Sequence, residues 1–433
     1  MQPFNRLVLA ALVGGSAAAV LAQDPGPVAL TFAFTGDSRL DPDFPKPMPV
    51  QNFLPPSLFT ETGQTYNGPD TTYPWYFNVV QLKATLRDLA ELKQPNFRYF
   101  FFTGDLVMGF GQGQAGAAKL KAQLAGFSKV LAAQPLGQIQ TIALPGNHET
   151  TFKTFVNNKA ISGADPDDTA AWQEWIKDNN LDPWGAQGGN GPHAGTTIWS
   201  GHLNNMKIKD DQSRMTYSFN SPDGSVHFVV LNTDMDSDVK SSEGYEELGL
   251  VALDWATEDI NNAQKNPAIK HIFVLSHKPI IPPADFKGPG RYDAMDPDMG
   301  AALREVLVRD DKVRAMICSH CHLWHVDTLQ SHLDTNVANL RPVQICAGNA
   351  GNSFESFWAP ETEATAVWRD GETHGPFFGF TLVRVYQNGK VTFNSYQRPQ
   401  PPKPMPVWAY YPKIGDDRAL PRPQAVEIVN GRP

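Results

Sequence analysis

Five short polar motifs, each just behind an apolar run, hold residue types that bind divalent cations. They are Gly36-Asp37-Ser38-Arg39, Gly104-Asp105, Gly146-Asn147-His148-Glu149, Ser276-His277-Lys278-Pro279 and Ser319-His320-Cys321-His322. A run rich in Val, Ile, Leu or Phe reads as a buried strand, which puts the polar residue behind it at a strand end. Strand ends of a layered sheet converge on one crevice. Carboxylate oxygens and imidazole nitrogens suit Mn, Fe or Zn. Two such ions about 3.5–4 Å apart clamp the attacking and leaving oxygens of an in-line displacement at phosphorus. Asp105 is the natural bridging ligand, because its run lies between those of Asp37 and Asn147 in chain order. His320 and His322, at alternate positions, can point to one side of an extended backbone. His148, beside Asn147, would stand near the centre without binding metal, the placement of a general acid for the leaving oxygen. Any one of these residues alone reads as a turn residue, a helix cap or a structural histidine; the ordered series is what points to a metal centre.

Arg39 stands apart from that set. A guanidinium has no acceptor lone pair and cannot ligate a metal. Two readings stay open for it: gripping a substrate phosphate, or pairing with a nearby carboxylate such as Asp41.

The elements that must position these residues can be read from periodicity. Residues 28–34, 97–102 and 139–144 are strands ending at Asp37, Asp105 and Asn147. Between them, Val79, Leu82, Leu86, Leu89 and Leu92, and then Leu120, Leu124, Phe127 and Leu131, recur at helical spacing. Asn78 falls where a cap belongs, with a role at the site as its alternative. This order argues for a mostly parallel α/β sheet. Pro222-Asp223-Gly224 marks a hairpin turn, a helix follows over 250–260, and strands at 272–275 and 313–318 precede His277 and His320. A last hairpin crosses Asn388-Gly389. Segments 40–75 and 151–205 read as irregular insertions, and the Pro-rich tail 397–433 as an extended segment laid along the surface. His374, in a Gly-flanked loop, is a candidate to reach the site; His193, His202, His227, His271, His325 and His332 are read as structural.

Composition narrows the class. The 433 residues have the hydrophobic and charged fractions of a folded globular protein. A formal net charge of −9 argues against a nucleic-acid polyanion as partner, so attraction for a phosphate group must be local. Residues 1–22 carry a positive start, an apolar stretch and small residues before Gln23, the order of an export signal, and place the chain as secreted or periplasmic. No later stretch reads as a membrane span. Three cysteines, Cys318, Cys321 and Cys346, are too few for a disulfide scaffold; buried thiols and a Cys318–Cys346 bridge both remain open.

On the five motifs, the sequence resembles the calcineurin-like metallophosphoesterase superfamily over most of residues 28–396. Tyr217-Ser218-Phe219 and residues 226–232 are similar to its central hairpin. The resemblance implies a four-layer α-β-β-α sandwich of two mixed sheets with two metal ions at the strand ends. It implies Asp37, Asp105 and His322 on the first ion, Asp105, Asn147, His277 and His320 on the second, and His148 as acid or transition-state stabiliser. The activity implied is hydrolysis of a small phosphate ester, monoester or diester, by metal-bound hydroxide. Two departures stand out: Arg39 where the family has a metal-binding histidine, and Ser319 where it commonly has glycine. An impaired first position leaves a non-catalytic binding protein as the alternative.

Overall fold

The structure, a computed structural model, describes residues 26–40, 75–109, 111–156, 159–184, 190–200, 206–235, 249–282, 294–329, 342–351, 374–375, 377–398 and 422–428. Residues 1–22, read above as an export signal, residues 41–74 and most of the Pro-rich tail lie outside them.

Two large sheets face one another. The first contains β1 (Val28–Thr35), β2 (Phe97–Phe102), β3 (Gln140–Ala143), β13 (Gly379–Tyr386), β14 (Val391–Gln397) and β15 (Gln424–Ile428), in the order β15-β14-β13-β1-β2-β3. The second contains β6 (Tyr217–Asn220), β7 (Val226–Leu231), β8 (His271–Ser276), β9 (Val313–Cys318), β10 (Trp324–Thr328), β11 (Val343–Ala347) and β12 (His374–Gly375), in the order β12-β10-β11-β9-β8-β7-β6. β1-β2-β3 and β7-β8-β9-β11 run parallel, while β13, β14, β15, β6, β10 and β12 pair antiparallel. Both sheets are therefore mixed. The mostly parallel sheet expected from the first half of the chain is corrected by the antiparallel strands that later segments add at the edges.

Alternation along the strands builds the layers. Phe32, Phe34 and Phe101 point between the sheets and meet Phe228, Phe273 and Leu275 of the second sheet in the central core. Phe32 contacts Phe228 at 5.3 Å and Phe273 at 5.0 Å, both edge to face. Removing an aromatic side chain so placed costs about 3–5 kcal/mol. Ala33, Phe100 and Phe102 point the other way and are covered by α1 (Trp75–Glu91), α2 (Gly113–Ala133) and α4 (Pro166–Asn179). Val229, Leu231, Ile272, Val274 and Met316 are covered by α5 (Leu253–Lys265) and α6 (Pro297–Arg309). The result is helix, sheet, sheet, helix. No helix among the described residues is long and apolar enough to cross a membrane.

Three local readings shift. α1 starts at Trp75, so Asn78 lies in its first turn and not at its cap. The segment after β3 is less irregular than its composition suggests: α3 (Asn147–Thr150) leads into a hairpin of β4 (Thr151–Val156) and β5 (Lys159–Ala164), and then into α4. Asp165 caps α4 by accepting from the amides of Asp167 and Asp168, with Pro166 at the first helical position. Trp172 and Trp175 are core residues of the outer layer. Part of the Pro-rich tail, β15, is extended as composition suggests, but it adds to the sheet edge beside β14.

Candidate active site

Parallel strands of both sheets end on one edge, and the backbone there is tightly bent. Asp37 (φ 61°), Arg39 (φ 42°), Asp105 (φ 53°) and His320 (φ 70°) all adopt the left-handed region that non-glycine residues rarely enter. Such strain persists where surrounding contacts over-determine it. Here the turns after β1 and β2 are bonded together: Asp37 N donates to Gly104 O (3.0 Å), Arg39 N to Asp105 O (2.8 Å) and Leu40 N to Leu106 O (2.8 Å). Glu149, in α3, adds a clamp, since its carboxylate accepts from the amides of Asp105 (3.0 Å), Val107 (3.0 Å) and Gly146 (2.8 Å). Gly104 (φ 96°) passes so close to His277 that a Cβ would lie 2.4 Å from Nδ1.

Donor atoms gather around His277. Its Nε2 lies 3.1 Å from Asp105 Oδ1, 3.0 Å from Asn147 Oδ1 and 3.1 Å from His320 Nδ1. Its Nδ1 meets Thr103 O at 2.9 Å and Ser319 Oγ at 3.1 Å, and Ser319 Oγ itself donates to Thr103 O. Ser319 thus helps to fix the imidazole plane. On the other side, Asp37 Oδ2 accepts from the amide of His320 (2.7 Å), and Oδ1 lies 3.7 Å from His322 Nε2. Asp37 Oδ1 is buried without a hydrogen-bond partner. Arg39 Nε donates to Asp105 Oδ2 at 3.1 Å. His148 Nδ1 is 2.7 Å from Met108 O, and Nε2 is 3.5 Å from Asp105 Oδ2.

The donors fit divalent cations. Two groups, Asp105 with His277 and His320, and Asp37 with Asp105 and His322, each offer ligand atoms within 4.8 Å of one another. The orphaned oxygen of Asp37 is an acceptor that only a cation or a water can satisfy at that depth. Burial, with His277 and Lys278 nearby, holds His320 well below the usual imidazole range; burial and Arg39 do the same for His322. Both rings are therefore neutral and keep a lone pair. Burial alone would lower His277, yet the adjoining Asp105 carboxylate, its hydrogen bond, Asp37 and Asp234 push it up to about 10. Burial would raise Asp105, but His148, His277 and Arg39 hold it well below the carboxylate range. Burial, reinforced by Asp105, pushes Glu149 up to about 7.

All eight residues singled out in the sequence, Asp37, Arg39, Asp105, Asn147, His148, His277, His320 and His322, lie in this one cluster. Arg39 pairs with Asp105; Asp41 lies outside the described residues. His227 is held by Asn220 and Asp259, and His271 accepts from Arg314, as structural histidines. His374, read as part of a loop, lies instead on β12 in register with His325. The three cysteines are free thiols, buried with Leu323 in one cluster, so no Cys318–Cys346 bridge is present.

Sequence reading passed over three contributors. Lys278 and Asp234 form a fully buried ion pair (2.5 Å) beside His277. Glu149 was part of a motif but had no role. The turn after β11 is a further strand end at the site: Gly36 N donates to Ala347 O and Ala350 N to Gly36 O, and a Cβ on Gly348 would lie 2.5 Å from Asp37 Oδ2. Its signal was available, because Gly348-Asn349 follows an apolar run as the other motifs do.

The family profile described as calcineurin-like phosphoesterase matches residues 31–323. No curated protein matches the chain. Among solved structures, PhoD is 11% identical with a TM-score of 0.48, covering 87% of this chain and 67% of that one. A dimetal phosphatase from Danio rerio is 10% identical with a TM-score of 0.40, covering 86% and 96%. The phosphopantetheinyl hydrolase of Mycobacterium tuberculosis is 10% identical with a TM-score of 0.28, covering 63% and 89%.

Proposed function

Because the chain belongs to the calcineurin-like phosphoesterase family, whose profile spans residues 31–323, we propose that its Asp–His cluster is the catalytic centre of a metal-dependent hydrolase of small phosphate esters. The observation that carries this reading is the convergence of Asp105 Oδ1, Asn147 Oδ1 and His320 Nδ1 on His277 Nε2, each at 3.0–3.1 Å. Asp105, Asn147, His277 and His320 would hold one ion, and Asp37, Asp105 and His322 would form the first position. Mn, Fe or Zn bound there supplies Lewis acidity toward a phosphoryl oxygen and lowers the pKa of bound water.

The side chains supply the rest. His148 donates from Nδ1 to Met108 O, which fixes the ring and leaves Nε2 as the atom that carries a proton to the leaving oxygen. Arg39 places a fixed positive charge beside Asp105, where charge on the phosphoryl group would develop. Glu149 keeps the turns of Asp105 and Asn147 in register through three amides. The order of residues 1–22 supports export, with a mature terminus near Gln23.

The test is a paired assay on a phosphomonoester and a phosphodiester, after chelation and after adding back Mn, Fe or Zn. Chelation should abolish turnover, and one of the three metals should restore it on at least one ester class. No hydrolysis of either class with any metal would overturn the reading.

A further inference from the structure

The two donor groups share Asp105, but they are not equivalent. Asp105 Oδ1 faces His277 Nε2 at 3.1 Å. Oδ2 faces the Arg39 guanidinium at 3.1 Å and His148 Nε2 at 3.5 Å. For a carboxylate that gave one oxygen to each of two ions, the second oxygen here already faces a cation. We propose that the chain holds one tightly bound metal ion, at Asp105, Asn147, His277 and His320, and that Arg39 is the built-in positive charge on the other side of Asp105. The inference rests on reading this cluster as the phosphoesterase centre.

Arg39 is placed for that role by the backbone. It sits in the left-handed region (φ 42°), its amide donates to Asp105 O, and the next residue, Leu40, is fully buried and bridged to Val107. Its side chain is only 19% exposed. The guanidinium therefore enters the site from a locked turn.

The first group is also poorer in donors. Among the described residues it gathers Asp37, Asp105 and His322, and Asp37 Oδ1 stands 3.7 Å from His322 Nε2. The second group adds the Asn147 amide oxygen to its carboxylate and two imidazoles. A divalent ion at the first position would lack one imidazole and would meet a fixed like charge across a shared carboxylate. Asp37 Oδ1 remains an acceptor for water or for an ion held weakly.

Metal counting on the purified full chain tests this. The protein is stripped with a chelator, reloaded with Mn²⁺ or Zn²⁺, passed through a desalting column, and counted by elemental analysis; titration calorimetry gives the affinities. Wild type should retain one equivalent, with any second ion at least about 100-fold weaker. Arg39→His, which removes the charge and adds a ligand, should retain two. Arg39→Met removes the charge alone and should tighten the second ion only in part. Asp37→Ala and His322→Ala should each keep the one tight ion, and His277→Ala should lose it, with circular dichroism and the unfolding midpoint confirming the fold of each variant. Two equivalents in wild type within about 100-fold of each other, or a single equivalent in folded Arg39→His, would overturn the proposal. Hydrolysis by a two-metal wild type defeats this inference and leaves the functional reading intact. One bound metal without any hydrolysis does the reverse.

Discussion

The two sides of Asp105 are built differently. On the His277 side every donor is held from behind: His277 by Thr103 O and Ser319 Oγ, Asn147 by the short helix that Glu149 anchors, His320 by a strained turn whose amide bonds to Asp37. On the Asp37 side one carboxylate oxygen has no hydrogen-bond partner, and the Arg39 guanidinium pairs with Asp105. The site thus has a rigid half braced from behind and a half with an unmet acceptor and a fixed positive charge. Arg39 sits just past the end of β1, in a turn bonded to that of Asp105 through backbone atoms.

Asp105→Asn breaks both halves together and should have the largest effect. It replaces the shared anionic ligand with a neutral amide while leaving the turn in place. Turnover should fall to background and most bound metal should be lost, read by ester hydrolysis and elemental analysis on the same sample. Normal turnover with full metal content would remove Asp105 from the centre. His148→Ala comes next. It should keep its metal and slow turnover by about 10²–10⁴, with the loss shrinking for esters whose leaving group needs no proton. An equal loss across good and poor leaving groups would show that His148 carries no proton in the reaction.

Much of this contrast was legible in the sequence. Each donor follows an apolar run, so its place at a strand end could be read from periodicity, and Arg39 declared itself by lacking a lone pair. The supports could not be read in the same way. Ser319 and Thr103 meet through a hydrogen bond between residues 216 positions apart, which no local pattern encodes. The helix α4 was hidden by Gly, Asn and Asp around its tryptophans, although Asp165-Pro166 is a sound cap signal. β15 was hidden for a related reason: proline-rich flanks argue against a strand, and only the exposed edge of β14 explains why five residues there pair.

A smaller effect would sharpen the rigid half alone. Ser319→Ala removes one of two partners of His277 Nδ1 and leaves Thr103 O in place. Loss of such a supporting hydrogen bond typically weakens a metal site by about 10–100-fold, and the lower end is expected because one partner remains. Calorimetric titration of the tight ion would show it. An unchanged affinity would mean that Thr103 O alone orients the imidazole and that the Ser319 hydroxyl adds nothing.

One buried acid of the helix layer is answered by neither half. Asp168 lies in α4, fully buried, and neither of its carboxylate oxygens has a hydrogen-bond partner. Asp105, equally buried, is held low by His148, His277 and Arg39 around it; Asp168 instead has burial together with Asp165, Asp167 and Glu149 pushing it up to about 8. The sign follows from linkage: a carboxyl whose folded pKa lies above its unfolded value costs nothing at low pH, and stability falls as pH rises from the unfolded value through about 8. Asp168→Asn removes that titration. The variant should be more stable than wild type at pH 9 by about 2 kcal/mol, discounted from the full shift for solvent screening, and by less at pH 5. Urea unfolding midpoints at the two pH values measure the difference. A difference that does not change with pH would mean that Asp168 is already paired in solution, and the helix layer would then answer its buried charges as the His277 side of the centre does.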